Sequence, residues 1–268
     1  MQGSKAIMND PENLFLSRVR QALGAESRRA HTTLQPEGAP PEETLRVLDR
    51  IANREGKDRL ALLERLMEEG RAINLEVHPV EGFQEAADVI HQIAVDHPEH
   101  PASRRGILCW RHPLLDPLDL KHRLAGLGIP FFPVDLQDPA LGGLSQDERR
   151  ARIREALGLA CIGVTSADFC VAQSATLVLR SRAGQPRAVS LAPDVHVAVI
   201  EPGQILADFE ELYTVLKWHP EIRREGLGPN LTFITGPSKT ADIELHIVYG
   251  VHGPRKVHLV VLTGTGAA

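Results

Sequence analysis

The stretch Ile73-Asn-Leu-Glu-Val-His-Pro-Val80, a break at Glu81-Gly82, and then Phe83-Gln-Glu-Ala-Ala-Asp-Val-Ile-His-Gln-Ile-Ala-Val95 reads as a strand followed by a helix. In the second half, apolar residues recur at 83, 86, 87, 90, 93 and 94, which is helical spacing. The alternation then repeats. Gly106 to Trp110 is a short apolar strand, Leu118 to Leu127 a helix, and Ile129 to Val134 a strand. Ser145 to Leu157 is a helix in which Ser145 and Glu148 have capping-box spacing, and Cys161 to Val164 is the next strand. Strands separated by helices of this length pair in parallel through right-handed crossovers. The expected fold class is α/β, a Rossmann-like and mostly parallel sheet.

Upstream, residues 41 to 70 are charged and helical, with Gly56 as a dividing point. Residues 25 to 41 carry Pro36, Pro40 and Pro41 without apolar periodicity, and read as a flexible connection. Before them, Asp10 and Pro11 open a short amphipathic helix through Leu14, Phe15, Val19 and Leu23. The expected organisation is an N-terminal helical arm and connection over 1–40 and one α/β domain over 41–268.

Downstream of Thr165 the pattern changes. Strands are expected at Leu177–Arg180, Ala188–Leu191, His196–Ile200, Leu231–Ile234 and Val257–Leu262. A helix is expected from Pro202 through Trp218, and a polar loop over 219 to 230. Between the last two strands lies Thr235-Gly-Pro-Ser-Lys-Thr-Ala-Asp-Ile-Glu244, then a short apolar run, then Tyr249-Gly-Val-His-Gly-Pro254. Gly236-Pro237 and Gly253-Pro254 mark turns. Ser238, Lys239 and Thr240 bring two hydroxyls and an ammonium close together, and Asp242 and Glu244 share a face if extended. Loops of this composition between apolar strands are where sites sit. A tight turn capped by Thr240 or Asp242 explains the same residues.

Composition narrows the function classes. Of 268 residues, 43% are apolar and 4% aromatic, which supplies a core of Leu, Val, Ile and Ala. A net charge of −5 gives no electrostatic reason for nucleic-acid binding. No apolar run approaches the roughly 20 residues of a membrane helix. Asp10 and Glu12 interrupt any leader-like pattern, and a cytoplasmic location is expected. Three cysteines, Cys109, Cys161 and Cys170, without Cys-x-x-Cys spacing, encode neither a disulfide framework nor an iron–sulfur ligand set. They read as buried thiols.

Ser238-Lys239-Thr240 lacks the glycines of a phosphate-binding P-loop, although Lys239 and nearby amides can still hold an anion. A metal reading of Glu244, His246, His252 and His258 finds no compact ligand spacing, and His246 and His258 read as packed or surface residues in strands. His252, in a glycine turn, either transfers a proton or bonds to backbone and holds the turn. Asp168 follows a strand end, where clefts of open α/β sheets form, and is either a base or a cap. Ser174 and Thr176 are ligand donors or turn hydroxyls. The absence of a Gly-x-Ser-x-Gly elbow disfavours a serine hydrolase.

Taken in order, Gly163-Val-Thr-Ser-Ala-Asp168, Ala172-Gln-Ser-Ala-Thr-Leu177, Pro193-Asp-Val-His196, Thr235 to Glu244 and Gly250-Val-His-Gly-Pro254 resemble the LUD-domain family, in its lactate utilisation protein C branch. The resemblance is specific over the last hundred or so residues and extends upstream to near residue 45. It implies a NagB/RpiA/CoA-transferase-like sheet and a part in oxidising L-lactate to pyruvate beside iron–sulfur partner proteins. The family's Asp, Lys, Asp and His positions are retained as Asp168, Lys239, Asp242 and His252. The candidate catalytic residues are Asp168, Asp242 and His252, and the candidate ligand contacts to a small anion are Thr165, Ser174, Thr176, Gly236, Ser238, Lys239, Thr240, Glu244 and Gly253. Two positions depart from the family's usual Glu-Thr/Ser-Gly-Thr segment: Gln173 stands for the Glu and Ala175 for the Gly. Gln cannot serve as a carboxylate, and Ala resists the positive φ that Gly permits. Three functional readings result: a subunit of a lactate-oxidising system, a stand-alone enzyme on a phosphorylated or acyl (CoA-like) substrate, or a non-catalytic assembly protein. No cofactor is assigned from the sequence.

Overall fold

The computed structural model describes Arg18 and residues 38–96, 105–135, 142–241 and 247–264. The helix expected from Asp10 to Gly24 and most of the connection after it lie outside the described residues, as do Asp242, Glu244 and His246. The chain divides into units Met1–Ala39 and Pro40–Ala268, and the α/β fold belongs to the second.

The six-stranded sheet is parallel throughout. Its strands are β1 (Leu75–Val80), β2 (Gly106–Trp110), β3 (Phe131–Val134), β4 (Ala160–Ser166), β7 (Val195–Ile200) and β12 (Lys256–Leu262). They lie in the order β1-β12-β7-β4-β2-β3. Strands β2, β4 and β7 are buried along their whole length. This is why they read as continuous apolar runs: a parallel sheet is covered on both faces and leaves no polar alternation. Helices α1 (Glu42–Ala52) and α2 (Gly56–Ile73) precede β1, separated just before Gly56. Helix α3 (Phe83–Asp96) follows β1, with Ala86, Ala87, Ile90 and Ala94 buried at the predicted helical spacing. Helix α4 (Leu120–Ala125) is shorter than expected: a 3-10 turn, Asp116–Leu118, takes Leu118, Asp119 caps the start in the left-handed region, and the helix stops before Gly126. Helix α5 (Gln146–Leu159) carries the full capping box: Ser145 accepts from the Glu148 amide and the Glu148 carboxylate accepts from the Ser145 amide.

After β4 the chain builds a second sheet. Strands β5 (Phe169–Val171), β6 (Thr176–Arg180), β8 (Ile205–Leu206) and β9 (Leu231–Ile234) lie in the order β8-β5-β6-β9. A separate apolar cluster of Val171, Val178, Leu206, Leu212, Val215, Leu216 and Ile222 covers it. Helix α1 docks here through charge. Arg54, just past its end, makes a bidentate contact to the buried Glu211 carboxylate at 2.6 and 2.8 Å, and that carboxylate also accepts from the Ala207 amide. A guanidinium and an amide thus satisfy the hydrogen-bonding capacity of a carboxylate that is 2% exposed.

Three expectations are corrected. Ala188–Leu191 is helix α6, not a strand. The run is apolar and bracketed by prolines, so period alone could not separate the two states. Its carbonyl at Val189 lies where a side chain of Gly163 would be: a Cβ there would meet that oxygen at 1.8 Å. The helix from Pro202 to Trp218 is really a 3-10 turn (Pro202–Gln204), strand β8, and helix α7 (Phe209–Trp218). The Asp208 side chain accepts from the Glu211 amide and starts α7 there, an N-cap that sequence reading passed over. The polar loop after it contains helix α8 (Pro220–Glu225), opened by Pro220. The stretch leaving β9 forms a hairpin of β10 (Lys239–Ala241) and β11 (Ile247–Tyr249) before β12.

Candidate functional site

The end of helix α2 gathers one group of polar residues. Gly236 has φ 72, and a Cβ on it would meet the Ile73 carbonyl oxygen at 2.6 Å, so only glycine lets the turn after β9 close against α2. Lys239 reaches the same carbonyl, its Nζ donating at 3.3 Å. The ammonium also lies 5.7 Å from the centre of the Tyr249 ring, whose hydroxyl accepts from Asn74 at 3.3 Å. A cation at a helix C-terminus is favoured by the exposed carbonyls of the last turn. That contact uses one of three ammonium donors; the side chain is exposed, and its other two donors have no hydrogen-bond partner among the described residues.

Beside it runs a ladder of hydroxyls. Ser174 Oγ lies 2.7 Å from Thr176 Oγ1, which lies 2.9 Å from Thr235 Oγ1. Helix α2 packs on the 3-10 turn Ala172–Ser174 that carries Ser174. The turn is closed by Ala175 in the left-handed region, φ 47, fully buried. Ala therefore takes the positive φ that the resemblance assigns to Gly, at a cost of about 1–2 kcal/mol in local sterics. Ser238 is tied on both sides, donating its amide to the Pro254 carbonyl and accepting from the Gly250 amide. Gly253 lies against Ser238, while Thr240 sits across the hairpin from Val248. His252 is exposed in the turn after β11.

Asp168 and Thr165 belong elsewhere. Asp168 comes just past the end of β4, beside the end of β2. Here the connections leave in opposite directions, since β2 leads to β3 on one side while β4 leads on to β7 on the other. Such a switch point is the usual crevice of an open α/β sheet. The Asp168 carboxylate is already engaged: it accepts from the Arg180 amide at 2.7 Å, from Arg180 Nε at 2.8 Å and from Arg182 at 2.5 Å. Glu225 stands 3.8 Å from Arg180 and 4.0 Å from Arg182. Four residues of strand separate Arg180 from Thr176, about 13 Å. Burial holds His112, past the end of β2, below the ordinary imidazole range against the opposing pull of Asp168. None of Arg180, Arg182 and His112 is a candidate site residue by sequence, which carries no signal for charges that meet only through strand pairing. Thr165 is buried on a sheet face, its Oγ1 2.8 Å from His196 Nε2. Burial, and secondly the nearby His258, lower His196 to about 3, and its Nδ1 has no hydrogen-bond partner among the described residues.

The three cysteines are buried, and none of them is in a disulfide. Burial pushes the Cys109 thiol up to about 12 and the Cys170 thiol higher still, so both remain protonated and inert. Among the described residues no helix is long and apolar enough to cross a membrane.

Comparison with known proteins gives a family match and several relatives. The LUD domain model matches residues 63–262. Lactate utilization protein C of Geobacillus kaustophilus is 36% identical over 131 residues, 48% of this chain and 50% of that protein. The match thus spans half the length of that relative. Lactate utilization protein C of Halalkalibacterium halodurans is 29% identical over 248 residues, 92% of this chain and 96% of its own. A crystal structure of a DUF162 family protein from Deinococcus radiodurans aligns with 76% of this chain and 97% of its own, at 21% identity and a TM-score of 0.47.

Proposed function

The chain belongs to the LUD-domain family, and from that premise we propose that it serves lactate utilisation as a subunit of a system oxidising L-lactate to pyruvate. The observation that carries this reading is the alignment with a lactate utilization protein C over 92% of the chain. In it, iron–sulfur partner proteins accept the two electrons, in keeping with a chain whose own cysteines are scattered and buried. The ligand-binding part is the end of α2. Lys239 offers two ammonium donors to the carboxylate of a small anion, and Ser174, Thr176 and Thr235 supply hydroxyls next to it. His252, with Asp242 and Glu244 from the segment joining β10 to β11, takes the part of orienting that anion or moving a proton. Asp168 positions rather than reacts, because both of its oxygens are held by arginines or amide.

The test is lactate oxidation reconstituted with the partner proteins. Lys239→Ala is expected to raise the lactate concentration needed for half-maximal rate at least tenfold, and His252→Ala to lower the rate. If both variants match the wild type, the site is not where lactate chemistry occurs.

A second reading is favoured by one residue. Gln173 is exposed beside the hydroxyl ladder and cannot serve as a carboxylate. On this reading the chain is a non-catalytic assembly subunit. Rates unaffected by either substitution, together with loss of complex on removing residues 1–40, would select it.

A further inference from the structure

Strands β1 and β12 pair in parallel with Glu76 opposite His258 and His78 opposite Val260. Alternation puts Glu76, His78 and His258 on one face of the sheet, the face covered by α3. His78 Nε2 lies 3.2 Å from His258 Nδ1, and that same nitrogen lies 3.5 Å from Glu76 Oε2. The three ligand atoms fall within 4.8 Å of one another. Two ligands bound tetrahedrally at zinc-type distances stand about 3.3 Å apart. The observed separations bracket that figure before any side chain moves.

The three side chains also share a cavity. A cleft of about 290 Å³ opens between this face and α3, lined by all three together with Val89, Gln92 and Lys256. The Glu76 side chain is 57% exposed and that of His258 only 7%, so the group runs from solvent inward and an ion has a way in. Two imidazoles and one carboxylate are a borderline donor set, suited to zinc-type ions rather than to calcium or magnesium, which prefer oxygen.

We propose that Glu76, His78 and His258 bind a divalent transition-metal ion of the zinc class, with the fourth coordination position open to the cleft. Three protein ligands with an open position is the pattern of sites that polarise a bound water or anion. This inference is independent of the lactate reading, since it uses the other end of the sheet from the Asp168 crevice and none of the residues at the end of α2.

The experiment uses tag-free, chelator-stripped full-length protein titrated with Co2+. Saturable visible absorption of tetrahedral cobalt at one equivalent, displaced by Zn2+, is expected. His78→Gln is expected to weaken binding about 100-fold, and Glu76→Gln, at an exposed position that leaves packing intact, about 10-fold. Should His78→Gln fail to fold, Glu76→Gln decides alone. Absence of a saturable cobalt signal, or a signal of unchanged affinity in the folded variants, overturns the proposal and leaves the two histidines as a hydrogen-bonded pair.

Discussion

Replacing Asp168 with Ala tests whether this carboxylate holds the fold or serves chemistry. In the wild type it neutralises Arg180, whose side chain is 7% exposed, and takes a hydrogen bond from Arg182, 32% exposed. Removing it leaves the buried Arg180 guanidinium with, among the described residues, the Gly226 carbonyl at 3.1 Å and the partly exposed Glu225 carboxylate at 3.8 Å. Breaking a buried pair by deleting one partner costs about 3–5 kcal/mol. The remaining contacts of Arg180 place the expected loss near the lower end, about 3 kcal/mol. For a chain of this size that is a fall of about 6–12 °C in Tm. Urea denaturation followed by circular dichroism measures it, with the m-value checking that unfolding stays two-state. Asp168→Asn keeps the shape and one acceptor and is expected to lose clearly less. A loss under about 1 kcal/mol in Asp168→Ala, the size of an exposed pair, refutes the reasoning and returns Asp168 to consideration as a reacting group.

Two further outcomes rest on burial. Gly163→Ala places a methyl at 1.8 Å from the Val189 carbonyl oxygen, so β4 or α6 must shift; soluble yield and Tm should both drop sharply, and a Tm within 2 °C of wild type, by the scale of about 2–4 °C per kcal/mol, would contradict the close packing. His196 titrates at about 3 when folded against about 6.5 when unfolded, so the unfolded chain binds the proton more tightly. Its contribution is complete above pH 6.5 and declines as pH falls toward the folded value, with a slope approaching about 1.4 kcal/mol per pH unit. His196→Gln should flatten stability-versus-pH curves between pH 6 and 4, and identical curves would show that the ring is not buried neutral.

The main sheet was legible because burial on both faces writes it as apolar blocks of strand length. Gly106–Trp110 was read with its observed bounds, and the Phe83 helix began where its period began. The capping box at Ser145 was equally plain, since it is encoded within four residues. The region after Thr165 was harder. The strands of its second sheet are two to five residues long, and α6 is held by contact with Gly163 rather than by any period of its own. The site divided in the same way. Gly236, Ser238 and Lys239 stood out because they are neighbours in sequence. Arg180 and Arg182 did not, because their partner Asp168 meets them across β6. His258 read as a packed strand residue, and its partner His78 lies 180 positions earlier, in contact only through the register of β1 and β12.

That register sets the order in which the molecule can assemble. The edge strand β1 emerges early in synthesis, yet its sheet neighbour β12 is the last strand of the described chain. Until β12 leaves the ribosome, β1 has no partner, and β7 presents an open edge where β12 will insert. Closure of so long a loop makes this a late, slow step. A nascent chain halted before residue 256 therefore holds β4, β7 and β2 together while exposing an apolar slot one strand wide, the kind of surface chaperones shield.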